Sequence, residues 1–236
     1  MRIAILMTNT DESPFAHAWP LDGEKFSRMV GAVRPDWMFD VFSVKDGVFP
    51  DALEAYDGII ITGSPASVND PDPWVGRLMG LIRDAHASGI AMFGACFGHQ
   101  AIAKALGGEV GYNPNGWSYG YIETKLINRP DWMQGGADVI GQYSAHKEQV
   151  TSLPEGARII SETPGCPVGG FVIGDTVYTT QYHPEITPAF MAGLVEYFED
   201  EIGKEPSDMA RASLVKTADN QRVPQWVAAF FEQAAS

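Results

Sequence analysis

The stretch IAMFGACFGHQAIAKALGG, residues 90–108, decides how this chain folds. Its first four residues are apolar and suit a short buried strand, while QAIAKAL repeats its apolar positions at helical spacing and ends in the glycines favoured at helix C-termini. Between them GACFG reads as a sharp strand-to-helix turn, the geometry of a nucleophile elbow. Gly94 and Gly98 leave out the Cβ atoms that would collide in such a turn. Cys96 between them then projects at the C-terminal edge of a sheet, where open α/β sheets bind ligands. A helix beginning there offers unpaired N–H groups and a positive dipole end, and both favour thiolate over thiol. The competing reading is a small buried hydrophobe, the usual fate of a free cysteine.

Working outward, residues 2–7 (RIAILM), 38–44 (MFDVFSV) and 57–62 (DGIIIT) share the branched and aromatic character of buried strands. EKFSRMVGAV and WVGRLMGLIRDAHASG carry apolar residues three and four apart and lie between those strands as helices. Alternating strands and helices predict an α/β fold, a doubly wound, mostly parallel sheet flanked by helices in the flavodoxin-like manner. From residue 109 the pattern changes to GYIETKLI, ADVIGQYS, GARIIS, GGFVIG and TVYTTQYH, broken by glycine, proline and asparagine, which predicts added antiparallel strands. ITPAFMAGLVEYFEDEI and RVPQWVAAFFEQAA each carry an apolar stripe, with a further short helix expected in KEPSDMARASLVKTADNQ between them. No repeat or Pro/Gly/Ser-rich linker marks a boundary. The expectation is one domain over residues 1–236, with a core of about 1–200 and a helical C-terminal extension of about 201–236.

At 45% hydrophobic residues, a chain of 236 can build its own core. Cys96 and Cys166 are its two cysteines, too few for a disulfide framework, so a reducing, cytoplasmic compartment is expected. MRIAILMTN lacks the long apolar core of a signal peptide, and no segment approaches the roughly 20 apolar residues of a membrane span. A formal charge of −14 repels nucleic acid and anionic membranes, which leaves a small molecule or another protein as the partner. The reading calls for no cofactor and no metal.

A thiol nucleophile needs a base, and there are five histidines. His17 in a polar N-terminal loop and His86 on a helix are expected to be structural, and His99, on the helix after Cys96, should point away from the thiol. His146 in YSAHKEQV and His183 in TTQYHPE both follow strands. His183 has the stronger case: Pro184 fixes the backbone after it, and Glu185 lies where its carboxylate could hold the imidazole in one tautomer. Nucleophile, base and orienting carboxylate form the general triad arrangement. ITGSPASVND runs from a strand into a small-residue loop at the same sheet edge, and its N–H groups could meet an oxyanion together with the N–H of Phe97. An ordinary strand-to-helix turn is the alternative there. Cys166, in a proline-containing loop without a base, is expected to be structural.

Taken together, GACFGHQ, the TGSP loop and the downstream QYHPE resemble the class I glutamine amidotransferases, including the amidotransferase domains of GMP-synthase type. The resemblance runs in order over residues 1 to about 190. It implies that Cys96 attacks the side-chain amide of glutamine, that His183 passes a proton to departing ammonia, and that Glu185 orients His183, with water then releasing glutamate from the thioester. It also implies an oxyanion hole from the N–H groups of Ser64 and Phe97, and substrate binding by Gly63 together with Gln100, Ala145, His146 and Lys147 at the amino-acid end. Ser64 stands at a position that is often glycine, and Ala145 and Glu148 stand where many members have serine and aspartate. Only about fifty residues follow the HPE, so a stand-alone protein rather than a fused synthase is expected.

LDGEKFSRMV, VFSVKDGVFPD, PNGWSYG and the C-terminal helices resemble more narrowly the stand-alone γ-glutamyl peptidases of the same superfamily. That likeness makes Trp117 and Tyr119 candidates for a leaving-group pocket, the alternative being two rings that pack their own loop. Three functions follow. The first is glutamine hydrolysis with ammonia passed to a separate synthetase subunit, the second is a γ-glutamyl peptidase acting alone, and the third is an inactive binding or regulatory module.

Overall fold

The computed structural model describes residues 1–236. In chain order it contains β1 (Arg2–Met7), α1 (Pro14–His17), α2 (Asp22–Gly31), β2 (Met38–Ser43), β3 (Gly58–Ile61), α3 (Pro73–Ala87), β4 (Ala91–Ala95) and α4 (Phe97–Ala105). There follow β5 (Glu109–Tyr112), β6 (Ser118–Leu126), β7 (Val139–His146), β8 (Glu148–Ser152), β9 (Ala157–Thr163), β10 (Cys166–Ile173) and β11 (Val177–Thr180). The chain closes with α5 (Pro188–Tyr197), α6 (Glu199–Ile202), α7 (Lys204–Ser213) and α8 (Arg222–Ala234).

One nine-stranded sheet runs in the order β2-β1-β3-β4-β11-β10-β9-β6-β7. Neighbours from β2 to β11 are parallel, and those from β11 to β7 are antiparallel. The expected doubly wound half and the added antiparallel half are therefore halves of the same sheet. His17, expected in a loop, ends the short helix α1, whose N-cap Ser13 accepts the N–H of Ala16. β5 and β8 form a separate two-stranded ribbon that the sequence does not announce, because neither has an unbroken apolar run.

The parallel strands read as continuous apolar runs because helices cover both of their faces. Successive side chains alternate between two cores. Ala4, Leu6, Ile59 and Ile61 pack under α3 and α4, while Ile3, Ile5 and Ile60 pack under α2 and α8. In α8, Val223, Trp226, Val227, Phe230 and Phe231 recur at helical spacing and all lie buried in that second core. The expected C-terminal extension thus divides in two. α8 builds the central core, and α7 lies over β6 in a smaller cluster with Tyr119, Tyr143 and Met191. No helix is long and apolar enough to cross a membrane.

Candidate functional site

β4 runs into α4 through Cys96, whose backbone takes φ 50° and ψ −105°. An L-residue adopts this conformation only under strain, of the order of 1–3 kcal/mol, and such strain clusters at functional sites. The flanking glycines have a steric reason. A Cβ on Gly94 would lie 2.6 Å from the backbone of Gly98, and one on Gly98 would lie 2.3 Å from the carbonyl oxygen of Ile61. Three bonds hold the turn: Cys96 N–H to Thr180 O at 2.9 Å, Gly98 N–H to Thr62 O at 3.1 Å, and Gln100 N–H to Cys96 O at 3.1 Å. As the first residue of α4, Phe97 keeps its N–H without an intrahelical acceptor.

His183 reaches the thiol because β11 is the parallel neighbour of β4, with Thr180 in register with Ala95. Its own N–H is anchored to Tyr143 O at 3.0 Å. His183 Nδ1 bonds Glu185 Oε1 at 2.8 Å, and both side chains are buried, 11% and 4% exposed. That bond leaves Nε2 as the free ring nitrogen, itself buried and without a hydrogen-bond partner. Burial works against a charge on this ring, but the Glu185 carboxylate and the Cys96 sulfur outweigh it and raise the imidazole well above its ordinary 6.5. Gly63 closes the group: a Cβ there would stand 3.0 Å from His183 Cε1 and 3.6 Å from Cys96 Cβ.

The Gly63–Ser64 peptide is oriented by a residue that sequence reading passed over. Thr8, buried just after β1, shares its one hydroxyl proton between Thr62 O and Gly63 O, each at 3.0 Å, and the Thr62 hydroxyl also donates to Gly63 O at 3.2 Å. Because a trans peptide sets N–H opposite C=O, a Gly63 carbonyl held toward Thr8 turns the Ser64 N–H the other way. Gln181 was also missed. Its Nε2 points at Cys96 Sγ from 3.6 Å, and its Oε1 accepts from Gln100 Nε2 at 3.1 Å. The only signal for these two was a polar side chain at the end of an apolar strand.

A cleft of about 390 Å³ opens over Cys96 and His183, and Gly63, Ser64, Ala145, Trp117 and Tyr119 are among its lining residues. The two rings also pack together, with centroids 6.1 Å apart. Gln100 stands behind the cleft rather than in its wall and is tied to Glu148 O at 2.8 Å. His146 likewise lies behind the wall, with Nδ1 donating to Glu148 O at 2.9 Å and burial lowering its pKa to about 4. Lys147 is exposed outside the lining, its ammonium 5.6 Å from the centre of the Trp117 ring. His99 points away to Thr179 Oγ1 at 2.8 Å, and full burial pushes it down to about 3. Cys166 is buried at the start of β10, where desolvation raises its thiol to about 12.

A thiol on a strained elbow at the switch from strand to helix, beside a paired imidazole and carboxylate, defines a class of α/β protein built around a cysteine. Residues 39–195 match the model of the glutamine amidotransferase class-I family, and the chain belongs to that family, whose members are generally cysteine-dependent amidohydrolases. Over 166 residues it is 30% identical to γ-glutamyl peptidase 3 of Arabidopsis thaliana, covering 67% of each chain. It is 33% identical over 130 residues to the glutamine-hydrolysing GMP synthase of Clostridium novyi, a match that takes in 54% of this chain and 24% of that enzyme. A solved glutamine amidotransferase from Thermotoga maritima superposes with a TM-score of 0.77 at 20% identity, covering 100% of this chain and 98% of the other. That likeness extends to the fold.

Proposed function

We propose that the protein hydrolyses γ-glutamyl amides through a Cys96 thioester. Cys96 passes its thiol proton to His183 Nε2 and its sulfur attacks the γ-carbonyl carbon, while the oxyanion is met by the N–H groups of Ser64 and Phe97, each such donor being worth about 2.7–4 kcal/mol of transition-state stabilisation. As the C–N bond breaks, His183 gives its proton to the departing amine. Water then attacks the thioester, His183 takes a proton from it, and glutamate leaves with the thiol restored. Glu185 keeps the imidazole in the tautomer and orientation that both steps need. Ala145 and Lys147 bear on the amino-acid end of the substrate, while Gln100 and His146 support that wall from behind.

The observation that carries the reading is the Nδ1–Oε1 bond of 2.8 Å, which leaves the free nitrogen of His183 for the side of the elbow thiol. The cleft also has room for a substituted amide. A cleft of about 390 Å³ is of ligand-binding size, roughly 300–1,000 Å³. The second reading, glutamine hydrolysis with ammonia delivered to a separate synthetase subunit, draws its support from the family and from the GMP synthase relatives.

The test is glutamate release by the purified protein alone from glutamine and from γ-glutamyl-p-nitroanilide, with Cys96→Ala as the blank. Release from the anilide that outpaces glutamine is expected. Turnover confined to glutamine, or roused only by a partner subunit, would transfer the conclusion to the second reading.

A further inference from the structure

The half of the cleft beyond His183 belongs to segments the mechanism does not use. On one side stand α5 and α6, which present Phe190, Leu194, Phe198 and Ile202. Against them lies the turn after β1 with the first turn of α2, contributing Asn9, Asp11, Glu12, Asp22 and Lys25.

The charges on this half do not cancel. Lys25 is the one lysine or arginine in the lining. It is committed to Asp22 at 2.7 Å, with its ammonium 3.9 Å from the centre of the Phe190 ring. Glu12 is paired with Lys45 at 2.6 Å, and Glu185 with His183. Asp11 and Glu201 have no basic partner: Asp11 accepts the N–H of Ser13 at 2.8 Å, and Glu201 stands exposed on α6.

An apolar, ring-bearing wall in a cleft that also holds two uncompensated carboxylates selects its ligand by both properties. It gains from burying hydrocarbon, and it repels an anion through the low-dielectric wall of the cleft. Resting on the γ-glutamyl hydrolase reading, we infer that this half-cleft receives the amine portion of the substrate, and that this amine is aryl or alkyl, neutral or cationic, and without a carboxylate. Peptides, whose leaving amine ends in a carboxylate, are then the poorer substrates, glutathione among them.

The decisive comparison uses two substrates that differ only in that group: the γ-glutamyl amide of 2-phenylethylamine and γ-glutamylphenylalanine. In low-salt buffer the wild-type chain should prefer the carboxylate-free amide by on the order of tenfold in kcat/KM, the scale of two partly screened charges at cleft distances. Glu201→Lys should cut this ratio several-fold, chiefly by improving the carboxylate-bearing substrate, and about 0.5 M salt should narrow the wild-type ratio in the same direction. Equal or faster cleavage of γ-glutamylphenylalanine would overturn the inference and leave the hydrolase reading standing. Failure to release glutamate from any γ-glutamyl compound, p-nitroanilide included, would overturn that reading and the inference with it.

Discussion

Acid should loosen this fold through two histidines that have no part in the proposed chemistry. His99 is fully buried under β11 and titrates at about 3, chiefly because of burial; His146, buried behind the cleft, titrates at about 4 for the same reason. Unfolded, each would titrate at 6.5. Since both folded values are depressed, the unfolded chain takes up protons first as pH falls, so their stability contribution is complete above about 6.5 and is lost below it. His183 has the opposite sign. Its raised value confers stability that is fully present below 6.5 and is lost as pH rises through the folded value, so it stays constant in the acid window. Ordinary carboxylates titrate near 4, which makes pH 6.5 to 5 the useful range. Across it each buried histidine should cost about 1.6 kcal/mol, or about 3 kcal/mol for the pair. Urea unfolding followed by tryptophan fluorescence at half-unit steps of pH would measure this. His99→Asn keeps a polar partner for Thr179 and lowers stability at every pH, but it should halve the loss across the window. An unchanged loss in that variant, with unchanged m-values, would refute the assignment of His99 as a histidine held neutral by burial.

Cys96→Ala and His183→Ala should each abolish glutamate release while the urea midpoint stays cooperative, whereas Glu185→Gln should slow turnover by a smaller factor, since it removes an orienting charge and not the nucleophile or base; steady-state kinetics with unfolding controls checks all three. Gly98→Ala sets a Cβ 2.3 Å from the Ile61 carbonyl oxygen and should destabilise by about 3 kcal/mol or more, readable as a Tm loss of at least about 6 °C. Thr8→Val removes the hydroxyl shared between Thr62 O and Gly63 O and loosens the Ser64 peptide, which is then held only by the Thr62 hydroxyl at 3.2 Å from Gly63 O. A drop in kcat of about tenfold with little change in KM is expected, the pattern of an interaction made in the transition state.

What the sequence determined by itself was local. Gly94 and Gly98 around Cys96 announce a turn that few other residues could make, and the apolar runs of β1, β3 and β4 announce strands buried on both faces, because steric limits and period-two alternation act over a handful of neighbouring residues. HPE showed its imidazole and carboxylate together for the same reason, the two being two residues apart. The meeting of His183 with Cys96 is a different matter. It depends on β11 inserting beside β4, a pairing between segments more than eighty residues apart that periodicity does not encode. Thr8 and Gln181 went unread because each is a single polar residue whose partners come from other strands. α8 carried a legible apolar stripe, yet its place in the central core beside α2 was settled by tertiary packing, since a stripe says that a face will be buried and not against what. The far half of the cleft was set in the same way. Lys25, Asp11 and Glu201 are ordinary charged residues in the chain, and only their convergence around one cavity shows which charges cancel and which are left to meet a substrate.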